Sequence, residues 1–185
     1  MSRRPTPADL LASSGKTIPD VIAPGLSVLF CGTNPGLYSA AVGHHYGRPG
    51  NRFWPTLHAS GFTPRQFRPA EEHQLLRLGY GITDVVLRAS TAAHELSKVE
   101  IMEGGKVLRS KVQKFAPQFL AVLGLGIYRS AFDARKAVVG LQAERIGTTK
   151  VWVLPNPSGL NAHYQPAELV RLFAELYAAS RLTAD

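Results

Sequence analysis

Four short apolar runs, separated by segments of helical spacing, constrain this chain most. They are Leu26–Gly32 (LSVLFCG), Gly81–Leu87 (GITDVVL), Phe119–Leu125 (FLAVLGL) and Lys150–Pro155 (KVWVLP). Each is nearly continuous rather than alternating, as expected of strands buried on both faces of a parallel sheet. Helical patterns fill the intervals at Arg52–Ser60, Pro69–Leu78, Gly105–Phe115 and Ile127–Val138, and a last one starts near Pro166. In that last segment Leu169, Leu172, Phe173, Leu176 and Tyr177 share one helical face. Strands alternating with helices pair in parallel through right-handed crossovers. The expected fold is therefore α/β: a three-layer α/β/α sandwich with a short, mostly parallel central sheet. At 185 residues the chain suits one domain. The expected division is a flexible N-terminal tail over 1–18 and a single catalytic domain over 19–185.

Two of the strands end alike. FCGTNPG runs out of the first at Gly32–Gly36, and LPNPSGLN runs out of the fourth at Pro155–Asn161. Ligands of open α/β sheets bind beyond the carboxyl ends of the strands, so both Asn-Pro segments would share one rim. A residue before proline stays extended, which aims Asn34 and Asn156 off the sheet edge. Asparagine offers a donor and an acceptor and can hold a water or a nucleobase edge. Gly32 and Gly36 allow close approach of backbone to a ligand. One such segment alone would read as turn chemistry; two at parallel strand ends point to a site.

Several other chemistries find no support. The chain has no GxxxxGK[ST], no GxGxxG and no G-x-S-x-G; Gly124-Leu125-Gly126 reads as a strand-to-helix turn. Cys31 is the single cysteine, which forms no internal disulfide, zinc cage or iron–sulfur site. It reads as a small core residue, and a reducing compartment is expected. His44-His45 has no carboxylate at helical spacing, so no metal is expected there and loop histidines near a phosphate or base are. No apolar run reaches the roughly 20 residues of a membrane helix. The formal net charge of +8 fits a polyanionic partner, most simply nucleic acid.

The stretch from Asp20 to Trp54, with GTNPG and GRPGNRFW, resembles the mismatch-specific uracil-DNA glycosylase family, which also holds thymine-DNA glycosylases. LPNPSGLN is similar to that family's second motif, and GGKVL and FLAVLG fall at its spacings. The resemblance spans Pro19 to the final helix. It implies a uracil-glycosylase fold and hydrolysis of uracil from double-stranded DNA, chiefly opposite guanine. It further implies a monofunctional enzyme without lyase step, metal or cofactor, acting as a monomer in the cytoplasm and on the nucleoid if bacterial. The catalytic residues so implied are Asn34, which would position water, and Ser39 as a helper. Asp84, at the end of the second strand pattern, is a third candidate from its position, and Glu95 a weaker one. Tyr46 corresponds to the stacking aromatic, and backbone near Thr33, Gly36 and Tyr46 would read the uracil edge. Ser39 and Ala40 would border its C5 side, and Asn156 would complete the substrate site.

Leu160 corresponds to the wedge that fills the gap left by a flipped nucleotide, with Ser158, Gly159, Asn161 and His163 as further DNA-binding residues. The chain has Ala162 where the S-G-L-S-R form carries arginine, which weakens the case for strict guanine reading. Lys98, Arg48 and Arg52 are phosphate-clamp candidates, Arg52 alternatively an ion-pair partner. Both motifs carry Asn where stronger uracil glycosylases have Asp and His, so slow turnover is expected. A small-molecule hydrolase and a non-catalytic nucleic-acid module remain the alternatives.

Overall fold

In the computed structural model, which describes residues 3–159 and 161–182, the four apolar runs form parallel strands. They are β1 (Val28–Gly32), β2 (Tyr80–Asp84), β3 (Phe119–Leu123) and β5 (Thr149–Leu154). The sheet order is β2-β1-β3-β5-β4, with β4 (Gly140–Ile146) antiparallel on the edge beside β5. All five residues of β1, β2 and β3 are buried. Their alternate side chains feed two separate cores. Phe30, Ile82 and Ala121 pack with Phe53, Leu57, Phe173 and Leu176, which belong to α3 (Phe53–Ala59) and α6 (Pro166–Arg181). Leu29, Leu120, Val122 and Val151 pack on the opposite face with Leu108, Val112 and Tyr128, from α4 (Lys98–Phe115) and α5 (Leu125–Ala131). The three-layer α/β/α sandwich is thus observed.

The elements differ from expectation where local signals compete. α4 starts seven residues before Gly105 because Ser97 and Glu100 form a reciprocal capping box. Gly104 and Gly105 sit inside this helix because a Cβ there would strike the carbonyls of Val85 and Ala131. The glycine pair is the condition for close packing of α4 on the sheet and on α5. α5 stops at Ala131 rather than Val138, just before Asp133 turns to φ 51°. Residues 132–139 are turns and irregular backbone, and they lead into β4, whose half-exposed residues gave no apolar run to read. The Pro69–Leu78 helix is present but wound as 3₁₀. α2 (Leu37–Val42), ended by Gly43 at φ 74°, was not anticipated.

Residues expected as a tail carry a short helix, α1 (Pro7–Leu11), with Thr6 and Asp9 in a capping box. Beyond it Ser13 and Ile18 are buried, and Thr17 bridges Arg88. No helix among the described residues is long and apolar enough to cross a membrane.

Candidate active site

The carboxyl ends of β1, β2, β3 and β5 meet around a cavity of about 300 Å³, at the small end of ligand sites. Its wall includes Gly32, Thr33, Asn34, Gly36, Ser39, His45, Tyr46, Arg48, Asp84 and Asn156. The two Asn-Pro turns, 122 residues apart in sequence (156 − 34), therefore do converge on one site.

Asn34 is fixed by its carboxamide nitrogen. That nitrogen donates to the carbonyls of Arg88 (3.1 Å) and Pro35 (3.2 Å) and to Ser90 Oγ (2.8 Å). Two of these partners can only accept, so they assign the amide orientation. Ser90 Oγ in turn donates to Ala92 O, which leaves its lone pair for Asn34. Among the described residues no hydrogen bond reaches Asn34 Oδ1, and the side chain lines the cavity. The loops after β1 and β2 run side by side to make this arrangement, through Val86 N to Thr33 O and Ser90 N to Pro35 O. Asn156 is oriented the opposite way. Its Oδ1 accepts from Ser158 N at 2.9 Å, so its amide hydrogens are the groups left for a ligand.

Asp84 lies 6% exposed at the end of β2. Burial pushes its carboxyl up to about 6, opposed by the nearby His45. Gly32 makes room for it: a Cβ there would fall on Asp84 Oδ1 and lie 2.8 Å from the Tyr46 hydroxyl. Tyr46 adopts φ 52°, a left-handed conformation that costs a non-glycine residue roughly 1–2 kcal/mol. The loop is held in it by three contacts. Ser39 Oγ accepts from Gly47 N (3.0 Å), Glu72 accepts from His45 N (2.9 Å), and the Tyr46 ring stacks on Phe53 at 3.9 Å. Tyr46 is thus anchored to the core by one face while it also lines the cavity. Burial raises its phenol well above the ordinary range, and its hydroxyl has no hydrogen-bond partner among the described residues.

Other expected residues fall elsewhere. Ala40 is buried on α2 and is not part of the cavity wall. Glu95 is exposed and accepts from Thr91 N, capping its own loop. Arg52 pairs with no carboxylate among the described residues, and its guanidinium is turned to backbone carbonyls. It donates to the carbonyls of Tyr164 (2.8 Å), Asn161 (2.9 Å) and Ser158 (2.5 Å), so it ties together residues 158, 161 and 164 of the loop after β5. Asn161 is also used inside that loop: Nδ2 donates to Asn156 O and Oδ1 accepts from His163 N. Gly159 packs on the Gly50 carbonyl, 2.8 Å from where its Cβ would be. His163 is exposed. Leu160 lies outside the described residues.

Sequence reasoning missed Glu72. This carboxylate, 2% exposed, takes Nδ1 of His44 (2.9 Å) and of His45 (3.0 Å) on separate oxygens. The adjacent histidines therefore serve one buried carboxylate 27 residues downstream of His45. Nothing in the Pro69–Leu78 segment marks Glu72 out from Glu71, which pairs with Arg65 at the surface. Ser90, which orients Asn34, was likewise unmarked. Among the described residues no group of three metal-ligating side chains is gathered.

The sequence matches the family model of the uracil DNA glycosylase superfamily over residues 19–177. The chain belongs to this superfamily. Superfamily members are DNA glycosylases, hydrolases of N-glycosidic bonds, and both Asn-Pro turns lie within the matched span. The fold is also similar to a solution NMR structure from Methanosarcina acetivorans described as a "putative Uracil DNA glycosylase". The TM-score is 0.60 at 20% identity, over 88% of this chain and 98% of that one. At that identity the likeness speaks for the fold, a uracil-glycosylase-like sandwich.

Proposed function

We propose that this protein is a monofunctional glycosylase that hydrolyses uracil from mismatched double-stranded DNA, chiefly opposite guanine, and leaves an abasic site. The observation that carries this reading is Asn34. Its amide nitrogen is locked by three acceptors, so its oxygen is the group offered to a water beside the flipped nucleotide.

The base must leave the helix first, at a cost of a few kcal/mol that is lowest for a mismatched base. A U·G wobble is favoured over U·A on that ground alone. Tyr46 stacks on the extruded uracil, and Asn34 Oδ1 holds the attacking water. As the C1′–N1 bond breaks, its electron pair passes to N1 and the base leaves as an anion. The water oxygen bonds to C1′ and its proton passes to Asp84, which is largely ionised at neutral pH. Asn156, with its oxygen engaged by Ser158 N, donates toward the departing base and stabilises the developing charge. Ser39 acts by holding the Tyr46 turn. No lysine lines the cavity among the described residues, which favours water over an amine nucleophile. Leu160 is the proposed wedge, on the resemblance of LPNPSGLN to the family's second motif.

Single-turnover base release from duplexes containing U·G, U·A and T·G tests this. Release from U·G should fall about 100-fold or more in Asn34→Ala, with duplex binding retained. A wild-type protein that binds these duplexes but releases no base would return the reading to a non-catalytic module.

A further inference from the structure

His45 is 3% exposed, and its two ring nitrogens face two carboxylates. Nδ1 lies 3.0 Å from Glu72 Oε2, which also accepts from the His45 backbone N–H at 2.9 Å. That double contact fixes the ring, and an ionised Glu72 requires the proton on Nδ1. Nε2 then points at Asp84 Oδ2 from 3.7 Å and has no hydrogen-bond partner among the described residues. A buried ring nitrogen without a partner is disfavoured, and this one faces the carboxylate that the reaction uses.

We propose that His45, clamped by Glu72, is a positioning residue that acts through Asp84: a buried Glu72–His45–Asp84 relay whose imidazolium is the counter-ion of the Asp84 carboxylate. The proposal rests on the glycosylase reading above for Asp84's role. Glu72 supplies the anion that keeps His45 charged, and His44 occupies the other Glu72 oxygen. Charge follows the same direction. Burial pulls the His45 imidazole down, but the bond to Glu72 and the charges of Asp84 and Glu72 outweigh it and raise it. Glu72 is held below its usual range against its own burial by the His45 and His44 hydrogen bonds.

The remaining groups around Asp84 do not take this part. Asp20, from the strap before β1, pairs with Lys111 of α4 at 2.5 Å. Thr83 joins that pair by donating to Asp20 and accepting from Lys111, so it is close to self-neutralised. Cys31 and Tyr46 are buried and raised, hence neutral. Removal of the His45 cation therefore leaves Asp84 buried without a dedicated counter-ion. Its ionisation should then require higher pH.

The test is the pH profile of single-turnover uracil release by wild type, His45→Gln and Glu72→Gln, with the Asp84 carboxyl carbon followed by NMR titration of the intact chain. Wild type should gain rate as Asp84 ionises and then level off. His45→Gln should move both the acidic limb and the Asp84 titration upward by at least about one pH unit. This is a roughly tenfold rate loss on the acidic limb that is recovered at alkaline pH. Glu72→Gln should move both in the same direction, and it decides the matter if His45→Gln fails to fold. An equal loss at every pH, with the Asp84 titration in place, would make His45 a mere structural brace and overturn the relay. If wild type releases no uracil, the glycosylase reading fails, yet the Asp84 titration still decides the relay.

Discussion

Asp84→Asn should make the protein more stable at neutral pH and nearly inactive. The carboxyl ionises at about 6 in the fold against an ordinary value of 3.8, chiefly because it is buried. A shift of about 2 units, at ~1.36 kcal/mol each, makes ionised Asp84 cost about 3 kcal/mol of folding free energy. The folded-state value lies above the unfolded one, so this cost is absent below about pH 4. It grows as pH rises toward about 6 and is complete above it. Asparagine has the same shape and no charge, so its advantage should appear over that same window. Loss of the anion beside His45 offsets part of the gain, so about 3 kcal/mol is an upper bound. For a chain of this size each kcal/mol moves Tm by roughly 2–4 °C. The expected result is a variant–wild-type Tm difference near zero around pH 4 and several degrees by pH 7.5, measured by calorimetry. Protonation of Glu72 at low pH acts on both proteins and cancels in the difference. A Tm difference that is flat with pH, or a variant less stable at pH 7.5, would refute the argument that burial sets the Asp84 carboxyl. Retained activity would remove Asp84 from the mechanism.

Gly32→Ala should fold but lose most activity, because the new methyl displaces both the Asp84 carboxylate and the Tyr46 hydroxyl; calorimetry and single-turnover rates together check this. Asn34→Asp should not accelerate base release, although a carboxylate is a better base than an amide. One of its oxygens would face the carbonyls of Arg88 and Pro35, so both Tm and rate at pH 7.5 should fall, and a faster variant would contradict the assigned amide orientation. Arg52→Lys cannot serve three carbonyls with the same fork. Its uracil release should fall more on duplex than on single-stranded substrate, since the loop it pins is the one proposed to enter the duplex; equal losses on both would separate Arg52 from that loop's function.

The fold was legible because burial on both faces writes itself into the chain as unbroken apolar runs. Phe30 and Leu29 serve opposite cores and are both fully buried, where an unpaired polar group would be costly. Strand ends were legible for a related reason. Asn-Pro fixes an extended exit, and the parallel topology sends such exits to one rim. The edge strand β4 was not, because one exposed face leaves a mixed pattern that resembles a loop. The early start of α4 was hidden by two glycines whose meaning is a contact with Val85 and Ala131, which no local rule supplies.

The sequence by itself therefore determined the four parallel strands, the two flanking layers and the pair of asparagines at the sheet's rim. It could do so because periodicity and proline act within a few residues. Only the tertiary structure decided what those asparagines present, since Arg88, Ser90 and Ser158 choose which end of each amide remains free. It alone decided that His44 and His45 answer to Glu72, and that Asp84 lies buried beside His45. Charge and hydrogen bonding act through space over a few ångströms. The groups that tune this site therefore come from distant parts of the chain and leave no spacing to be read.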